Sequence, residues 1–420
     1  MKLSQFSGYV RFWIASTVSA FGTYITTVAI SVIVVIGLDG GTTDVGLVNA
    51  ARWLAYPLLG LLAGAWVDRH RRKPVLVAGD FGRGLVLVSV SVLALTGWLT
   101  VAVLAALMLL FGMLSLISDA AFQSFIPQLV PRELLVHANA RLQQSESVAQ
   151  TTGPALAGWL AQVITAPAAL LVDAASYFLS GLVVASIPDR ATRTMKPATT
   201  VRLGQRIREG LRWVYGHPRL GPLAVSTHLW FIFFSMFGAV FTVYALRERD
   251  LGAAGLGVVL ACAGVGSVIG TGASRRIGEA IGVGRTIIFA RSLYPAAFGI
   301  IGAAGFFPVG GWVGFVAIGL GQFLLGLALG VEGPQQMGYQ QAVTPDRLMG
   351  RMSATMRSIN RGMIVLGAPL GGVIAEAIGN RPTMSIAAAG MVLVVLLMAG
   401  SGLRDARIED QLSEQEATAD

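Results

Sequence analysis

Residues 153–158 read GPALAG, and 214 positions further on residues 367–372 read GAPLGG. The same offset carries VPREL at 130–134 onto TPDRL at 344–348. The chain therefore consists of two similar halves that follow each other in the same orientation. In a membrane protein, parallel repeats indicate two helical bundles related by an axis along the membrane normal, with the binding site between them.

The composition places the chain in a membrane. Of the 420 residues 54% are hydrophobic and 13% are charged, and the mean hydropathy is +0.68. Soluble proteins carry about 25% charged residues on average, so this chain lacks the polar residues to cover a soluble fold, which excludes an ordinary soluble enzyme. The single cysteine, Cys262, excludes a disulfide-stapled secreted fold. Twelve apolar runs of transmembrane length lie at approximately 12–36, 46–67, 75–97, 99–122, 148–166, 168–187, 222–245, 255–274, 286–307, 312–335, 359–378 and 383–403.

These runs predict an all-α polytopic membrane protein with twelve transmembrane helices in two six-helix bundles. We expect the N-terminal bundle in 1–189, a cytoplasmic linker with an amphipathic helix in 190–218, the C-terminal bundle in 219–404 and an acidic cytoplasmic tail in 405–420. The apolar spacing within 202–215 predicts that the linker helix lies along the membrane surface.

The net charge of +9 reflects a basic cytoplasmic face. Most of the 31 Lys and Arg residues fall between spans on the side that also holds both ends of the chain. Because cytoplasmic loops of membrane proteins are enriched in Lys and Arg, we expect both termini in the cytoplasm. Basic runs interleaved with aromatic residues are absent from the sequence, so we expect no nucleic-acid partner.

A charged motif, GAWVDRHRRK at 64–73, joins spans two and three on the cytoplasmic side. Asp68 at the end of a span can accept hydrogen bonds from helix N-terminal amides and from arginine, while the basic cluster contacts the other bundle or lipid phosphates. The motif therefore predicts a gating latch, and plain positive-inside charge is the alternative. The residues assigned to this latch are Gly64, Asp68, Arg69, Arg72 and Lys73.

This motif resembles the cytoplasmic loop signature of the major facilitator superfamily, with Arg71 in the place of its second glycine. Further stretches are similar to the branch of macrolide-efflux proteins and enterobactin exporters: PQLVPRE at 127–133, DAASYF at 173–178 and GRM at 350–352. The resemblance covers essentially the whole chain. It implies the two-bundle major facilitator fold, secondary transport by alternating access and, for this branch, export.

The stretch at 153–158 is also similar to the span-five antiporter signature of drug exporters, with alanine at two of its glycine positions. Pro154 bends the span, and the small residues Gly153 and Gly158 let a neighbouring helix come close. By this resemblance the segment is a hinge or seal that favours export, and ordinary tight packing is the alternative.

Two carboxylates fall within the predicted spans at nearly equivalent places. Asp119 lies in the inner half of span four and Glu332 in the inner half of span ten, and the 214-residue offset places them one residue apart. By resemblance to the superfamily, spans one, four, seven and ten line the central cavity. A desolvated carboxyl group binds a proton more readily and attracts cations. We therefore expect this pair to couple protons or bind substrate, with a structural role as the alternative.

Other polar and aromatic side chains complete the predicted cavity. Span one contributes Thr23, Tyr24 and Thr27, and span seven contributes Phe234 and Phe237. Hydroxyls on one wall and aromatic rings on the other suit bulky amphipathic molecules.

The remaining charged residues within the spans have other expected roles. Asp80 and Arg83, one helical turn apart, predict a local ion pair. Arg52 is expected to snorkel toward the membrane surface. Asp173 and Arg291 belong to peripheral spans by analogy with the superfamily, and a role in packing or in joining the bundles is expected of both.

Catalytic motifs, ATP-binding motifs and metal-ligand clusters are absent from the sequence. We therefore expect no enzyme activity, no cofactor and no metal, and transport must draw on an ion gradient or on the gradient of the substrate. We expect a secondary active transporter that exports an amphipathic small molecule (drug, macrolide or siderophore class) by proton antiport. It would act as a monomer in the bacterial inner membrane, with the substrate, protons and membrane lipids as partners. A lysophospholipid or metabolite transporter of the same fold and a non-transporting membrane sensor are the alternatives.

Overall fold

The computed structural model describes residues 3–67, 70–131, 134–188 and 203–406. These residues form thirteen α-helices, with no strand among them. The helices are α1 (Ser7–Val32), α2 (Thr42–Val67), α3 (Arg72–Leu95), α4 (Val101–Leu129), α5 (Leu135–Ile164), α6 (Ala166–Ala185), α7 (Leu203–Gly216), α8 (Leu220–Val243), α9 (Gly252–Ile281), α10 (Val283–Ala303), α11 (Trp312–Val343), α12 (Asp346–Ile378) and α13 (Asn380–Ala399).

Twelve of these helices have at least 20 residues. Ten helical segments of the described chain are long and apolar enough to cross a membrane. The other two long helices, α2 and α5, have 26 and 30 residues. α5 begins at Leu135, well before the apolar run at 148–166, because the first half of this helix is polar. The predicted all-α polytopic fold is confirmed.

The helices divide into two compact units. The first unit comprises the described residues of 1–200 together with 251–261, and the second comprises those of 201–250 and 262–420. α1 to α6 therefore belong to the first unit. The second unit contains α7, α8 and α10 to α13, and α9 contributes residues to both units.

The two units share one packing pattern. In the first, α1 packs against α5 and α6, and α3 packs against α4 and α6; in the second, α8 packs against α12 and α13, and α10 packs against α11 and α13. A π-helical turn continues the first long helix of each unit, at Ile33–Gly37 after α1 and at Tyr244–Glu248 after α8. The sequence repeat is therefore a repeat of structure.

The amphipathic helix α7 packs on α8 and α12 within the second unit. Its Val214 is fully buried, in a cluster with Leu223 of α8 and Met352 of α12. The predicted linker helix is therefore present, and its buried apolar residues pack against protein; its position along the membrane surface stays a prediction. The remaining linker residues 190–202 and the tail residues 407–420 lie outside the described residues.

Glycines set the distance between α9 and α11 in the second unit. A Cβ atom at Gly326 would lie 1.7 Å from the carbonyl oxygen of Ala263, and one at Gly330 would lie 2.1 Å from that of Ser267. The two backbones can touch only because these residues have no side chain. α9 thereby fixes the position of α11, the helix that carries Glu332.

Candidate functional site

Asp119 lies on α4 of the first unit and is exposed. Its Oδ2 accepts a hydrogen bond of 2.7 Å from the hydroxyl of Tyr56 on α2. The two helices approach closely, because a Cβ atom at Gly112 of α4 would lie 2.0 Å from the carbonyl oxygen of Arg52 on α2. The structure thus places this predicted carboxylate on an accessible surface of the unit, where a tyrosine hydroxyl orients it.

A second exposed carboxylate, Glu146 of α5, is missed by the sequence analysis. Its Oε1 accepts a hydrogen bond of 3.2 Å from the hydroxyl of Tyr24 on α1. Hydropathy assigns this position to a loop, because the apolar run begins only two residues later. Helical spacing could have found it. Glu146 lies two turns before Gly153, whose added Cβ would lie 2.8 Å from the Cβ of Tyr24, so both residues face α1.

Arg52 of α2 supplies a cation to the same unit. Its Nη1 donates a hydrogen bond of 3.3 Å to the hydroxyl of Thr27, and its guanidinium lies 5.6 Å and 5.4 Å from the ring centroids of Trp53 and Phe111. Rings at these distances attract the cation. The side chain is therefore held within the unit, which corrects the expected snorkelling. Thr23 donates to a carbonyl of its own helix.

These contacts form one polar strip across four helices. Tyr24 and Thr27 are one turn apart on α1, and Arg52 and Tyr56 are one turn apart on α2, so each pair shares a helix face. Two carboxylates and one guanidinium give the strip a net charge of −1. Ions are costly in contact with hydrocarbon, so a strip of this kind faces a water-accessible space and can bind cations or exchange protons. The polar strip consists of Glu146, Tyr24, Thr27, Arg52, Tyr56 and Asp119.

Glu332 lies in a different environment, buried in the second unit with 6% of its surface exposed. Its Oε1 lies 2.7 Å from Nη2 of Arg291 on α10 and accepts a hydrogen bond of 2.8 Å from Nε. Its Oε2 accepts a hydrogen bond of 3.3 Å from the hydroxyl of Tyr294. The structure therefore places the two carboxylates of the predicted pair in different environments: Asp119 is exposed, whereas Glu332 is buried against Arg291.

Arg291 is the centre of a buried polar network and is only 1% exposed. Its Nη1 donates to the hydroxyl of Ser226 and its Nη2 donates to that of Thr227, both at 2.8 Å and both on α8. Nη2 also donates to Gln336 of α11 at 3.4 Å. Arg291 therefore joins α8, α10 and α11 through hydrogen bonds, a structural role that agrees with the expectation from the sequence.

Two charged groups of the first unit join helices. Asp80 and Arg83 form the predicted ion pair on α3, and Ser180 of α6 donates a hydrogen bond of 2.8 Å to Asp80. Asp173 of α6 accepts a hydrogen bond from Thr26 of α1. Both carboxylates are buried, and their role in packing agrees with the expectation from the sequence.

The aromatic residues predicted to line a cavity pack on other aromatic rings. Phe237 is 2% exposed and stacks face to face on Phe298 of α10, with ring centroids 3.8 Å apart. This packing corrects its assignment to a cavity wall, because the ring lies between α8 and α10. Phe234 stacks on Trp230 at 4.5 Å and remains half-buried.

The segment predicted to be a hinge lies within α5, with Pro154 inside the helix. A Cβ atom at Gly158 would lie 2.4 Å from the carbonyl oxygen of Ala253 and 2.8 Å from the Cα of Gly257, both in the part of α9 that belongs to the first unit. Backbone contact this close needs glycine on both helices. The geometry is that of a tight crossing, which both a sliding hinge and fixed packing require.

The predicted latch is described only in part. Gly64 lies in the last turn of α2, while Asp68 and Arg69 lie outside the described residues. Arg72 begins α3. Lys73 donates a hydrogen bond of 2.6 Å to the carbonyl oxygen of Ile187, just beyond α6, where a cation is favourable because carbonyls at a helix end carry negative charge.

Within the described ranges no three His, Cys, Asp or Glu side chains gather as a metal site would require. The chemistry of the site is therefore that of its carboxylates, hydroxyls and guanidinium groups.

Comparisons with known proteins agree with this architecture. The family model described as "Transmembrane secretion effector" matches residues 5–419. The uncharacterized MFS-type transporter y4rN of Sinorhizobium fredii is 27% identical over 286 residues, which are 68% of this chain and 68% of that protein. The multidrug efflux pump Tap of Mycolicibacterium fortuitum is 25% identical over 372 residues, 85% of this chain and 86% of that protein.

Among solved structures, the nucleoside transporter NupG superposes with a TM-score of 0.74. The match covers 96% of this chain and 100% of that one at 11% sequence identity. At this identity the likeness shows a common fold, the major facilitator fold implied by the sequence motifs.

Proposed function

Because this chain belongs to the transmembrane secretion effector family of the major facilitator superfamily, we propose that it exports an amphipathic, cationic small molecule by proton antiport. Membership makes it a multi-pass membrane transporter of the MFS type and not an enzyme. The direction of transport, the substrate class and the coupling ion are our proposals.

The polar strip is the observation that supports the proposal most directly. Asp119 and Glu146 are exposed on a unit built from apolar helices, and each accepts a hydrogen bond from a tyrosine. Such a carboxylate is stable only in contact with water, a proton or a cation. A carboxyl group that meets each side of the membrane in turn can take up a proton on one side and lose it on the other.

We assign proton coupling to Asp119 and cation binding to the strip as a whole. Glu332 was the second candidate from the sequence, but Arg291 neutralises it inside the second unit. A carboxylate already paired with a buried arginine exchanges protons poorly, because its protonation would leave the arginine charge unpaired. In this proposal Glu332 stabilises the second unit.

The remaining expectations complete the proposal. The loop at 64–73 acts as the latch of alternating access, and the crossing at 153–158 acts as its hinge or seal. The transporter works as a monomer in the bacterial inner membrane, with both termini in the cytoplasm and lipids around the bundles. One relative, which is 25% identical, is named a multidrug efflux pump, and this supports the proposal of export.

The test is transport by the purified full-length protein in vesicles with an imposed proton gradient, using the fluorescent cation ethidium as the probe. Asp119→Asn should abolish gradient-driven transport, and Glu146→Gln should weaken uptake of the cation. Glu279→Gln is the matched control, because Glu279 is an exposed carboxylate that is paired with Arg275 near the end of α9 and is not a residue of the strip.

Three outcomes separate the alternatives. Loss of gradient-driven transport in Asp119→Asn with a normal Glu279→Gln supports the proposal. Undiminished proton-coupled transport by the Asp119→Asn, Glu146→Gln double variant contradicts it. Transport that is insensitive to an uncoupler in the wild type favours an uncoupled facilitator of the same fold.

A further inference from the structure

A cavity of about 740 Å³ lies in the second unit between α7 and the start of α12. It shares no lining residue with the polar strip or the Arg291 network, and the proposed transport mechanism does not use it. Its lining includes Glu209, Arg212, Trp213, His217, Leu348 and Arg351.

Charge is the first property of this cavity that bears on a ligand. Arg351 of α12 forms an ion pair with Glu209 of α7, and Arg212 of α7 adds a second guanidinium. The three ionic side chains therefore carry a net charge of +1. Since Glu209 and Arg351 are 35% and 26% exposed, the pair still meets solvent from the cavity side. A ligand with one negative charge would neutralise the net charge of the lining.

His217 adds a hydrogen-bond donor of defined orientation. Its Nδ1 accepts hydrogen bonds of 3.2 Å and 3.1 Å from the backbone N–H groups of Arg219 and Leu220. A ring nitrogen that accepts two hydrogen bonds carries no proton, so the proton of the neutral ring is on Nε2. His217 therefore caps the start of α8 with one nitrogen and is a donor through the other.

Two helix starts adjoin the cavity. α8 begins at Leu220, directly after the lining residues His217 and Pro218, and α12 begins at Asp346, two residues before the lining residue Leu348. The N-terminal end of a helix carries partial positive charge and favours bound anions. The first N–H groups of α8 already donate to His217, and α7 ends with partial negative charge at the lining residue Gly216. The attraction for an anion therefore comes from the arginine side chains and the start of α12.

Apolar contact is available beside the charges. Trp213 donates its Nε1–H to the hydroxyl of Thr344 at 3.4 Å, which ties α7 to the junction between α11 and α12 and sets the ring at the cavity wall. Leu348 adds an aliphatic side chain to the lining. A ligand with an anionic head and an adjoining carbon chain would satisfy both parts of the cavity.

We propose that this cavity binds a phosphate group. Guanidinium groups match phosphate oxygens with paired hydrogen bonds, and a phosphodiester carries the single negative charge that the lining balances. An anionic phospholipid presents that group with an attached chain, and a soluble phosphate presents it alone. Bound phosphate joins Arg212 of α7 to Arg351 of α12 and so fastens the linker helix to the second unit.

The test is ligand binding by the purified full-length protein in detergent, followed by native mass spectrometry and by the apparent melting temperature. The probes are phosphatidylglycerol, zwitterionic phosphatidylcholine and inorganic phosphate. Arg212→Gln removes one cation from the lining. Arg208→Gln is the matched control, because it removes the same charge from the same helix at an exposed position outside the cavity.

We expect phosphatidylglycerol to bind and to raise the melting temperature, whereas phosphatidylcholine does neither. Arg212→Gln should weaken binding about tenfold, the loss expected for one charge-assisted hydrogen bond, and Arg208→Gln should bind like the wild type. If inorganic phosphate binds with the same dependence on Arg212, the site is supported and its ligand is a soluble phosphate. Equal losses in the two variants, or no binding of either anionic probe, would overturn the proposal.

Discussion

Replacing Arg291 by methionine removes the cation from the buried pair with Glu332 while keeping a long side chain. The guanidinium donates hydrogen bonds to Glu332, Ser226 and Thr227, each at 2.8 Å, from a position that is 1% exposed. In the variant the Glu332 carboxylate would keep only the 3.3 Å hydrogen bond from Tyr294 among its described contacts. A buried anion would thus lose its counter-ion.

The expected magnitude follows from that uncompensated charge. Breaking a buried ion pair by removing one partner destabilises a protein by about 3–5 kcal/mol. At about 2–4 °C of melting temperature per kcal/mol for domains of this size, Arg291→Met should melt roughly 6–20 °C below the wild type. Adding Glu332→Gln removes the orphaned charge, and Ser226 and Thr227 keep hydrogen bonds to the carbonyl oxygen of Leu223. The double variant should therefore recover most of the loss.

The measurement is the apparent melting temperature of the full-length protein in detergent micelles, followed by tryptophan fluorescence. Arg275→Met is the control, because the ion pair of Arg275 with Glu279 is exposed and should leave the melting temperature unchanged. The reasoning is refuted if Arg291→Met melts with the wild type. It is equally refuted if the double variant melts as low as the single one, since charge would then not be the cause.

Two further predictions concern packing and the linker helix. Gly326→Ala should lower the melting temperature, because the added Cβ would lie 1.7 Å from the carbonyl oxygen of Ala263. Gly333→Ala on the same helix is the control, because a Cβ there would meet nothing within 4 Å. Equal melting temperatures of the two variants would contradict the close contact between α9 and α11. Burial raises the pKa of Tyr215 above its ordinary value of 10.0, so its hydroxyl stays protonated and pairs with Nε2 of His228 at 2.8 Å. Tyr215→Phe should weaken the docking of α7 by about 1 kcal/mol and speed proteolysis within α7, and an unchanged cleavage rate would contradict this role.

The helices could be predicted where apolar residues continue through the whole span, as in α1 and α13. The lengths of the helices could not be predicted. α5 begins at Leu135 and α12 at Asp346, whereas their apolar runs begin only at 148 and 359. The early turns of both helices are rich in polar residues, and some of these face neighbouring helices, as Glu146 and Arg351 do. A hydropathy window over these turns therefore falls below the value expected for a span. Glu146 falls in such a stretch, which is why the sequence analysis placed it outside the span.

The repeat predicted the positions of charges but not their partners. An offset of 208 carries Arg83 onto Arg291, and it carries Asp80 onto Ile288. In the first unit Arg83 is therefore neutralised by Asp80 on its own helix, and the carboxylate on α4 stays exposed. In the second unit no acid lies one turn before the arginine, so the arginine takes its counter-ion from α11. One difference between the halves thus accounts for why Glu332 is paired with a buried arginine while Asp119 is exposed.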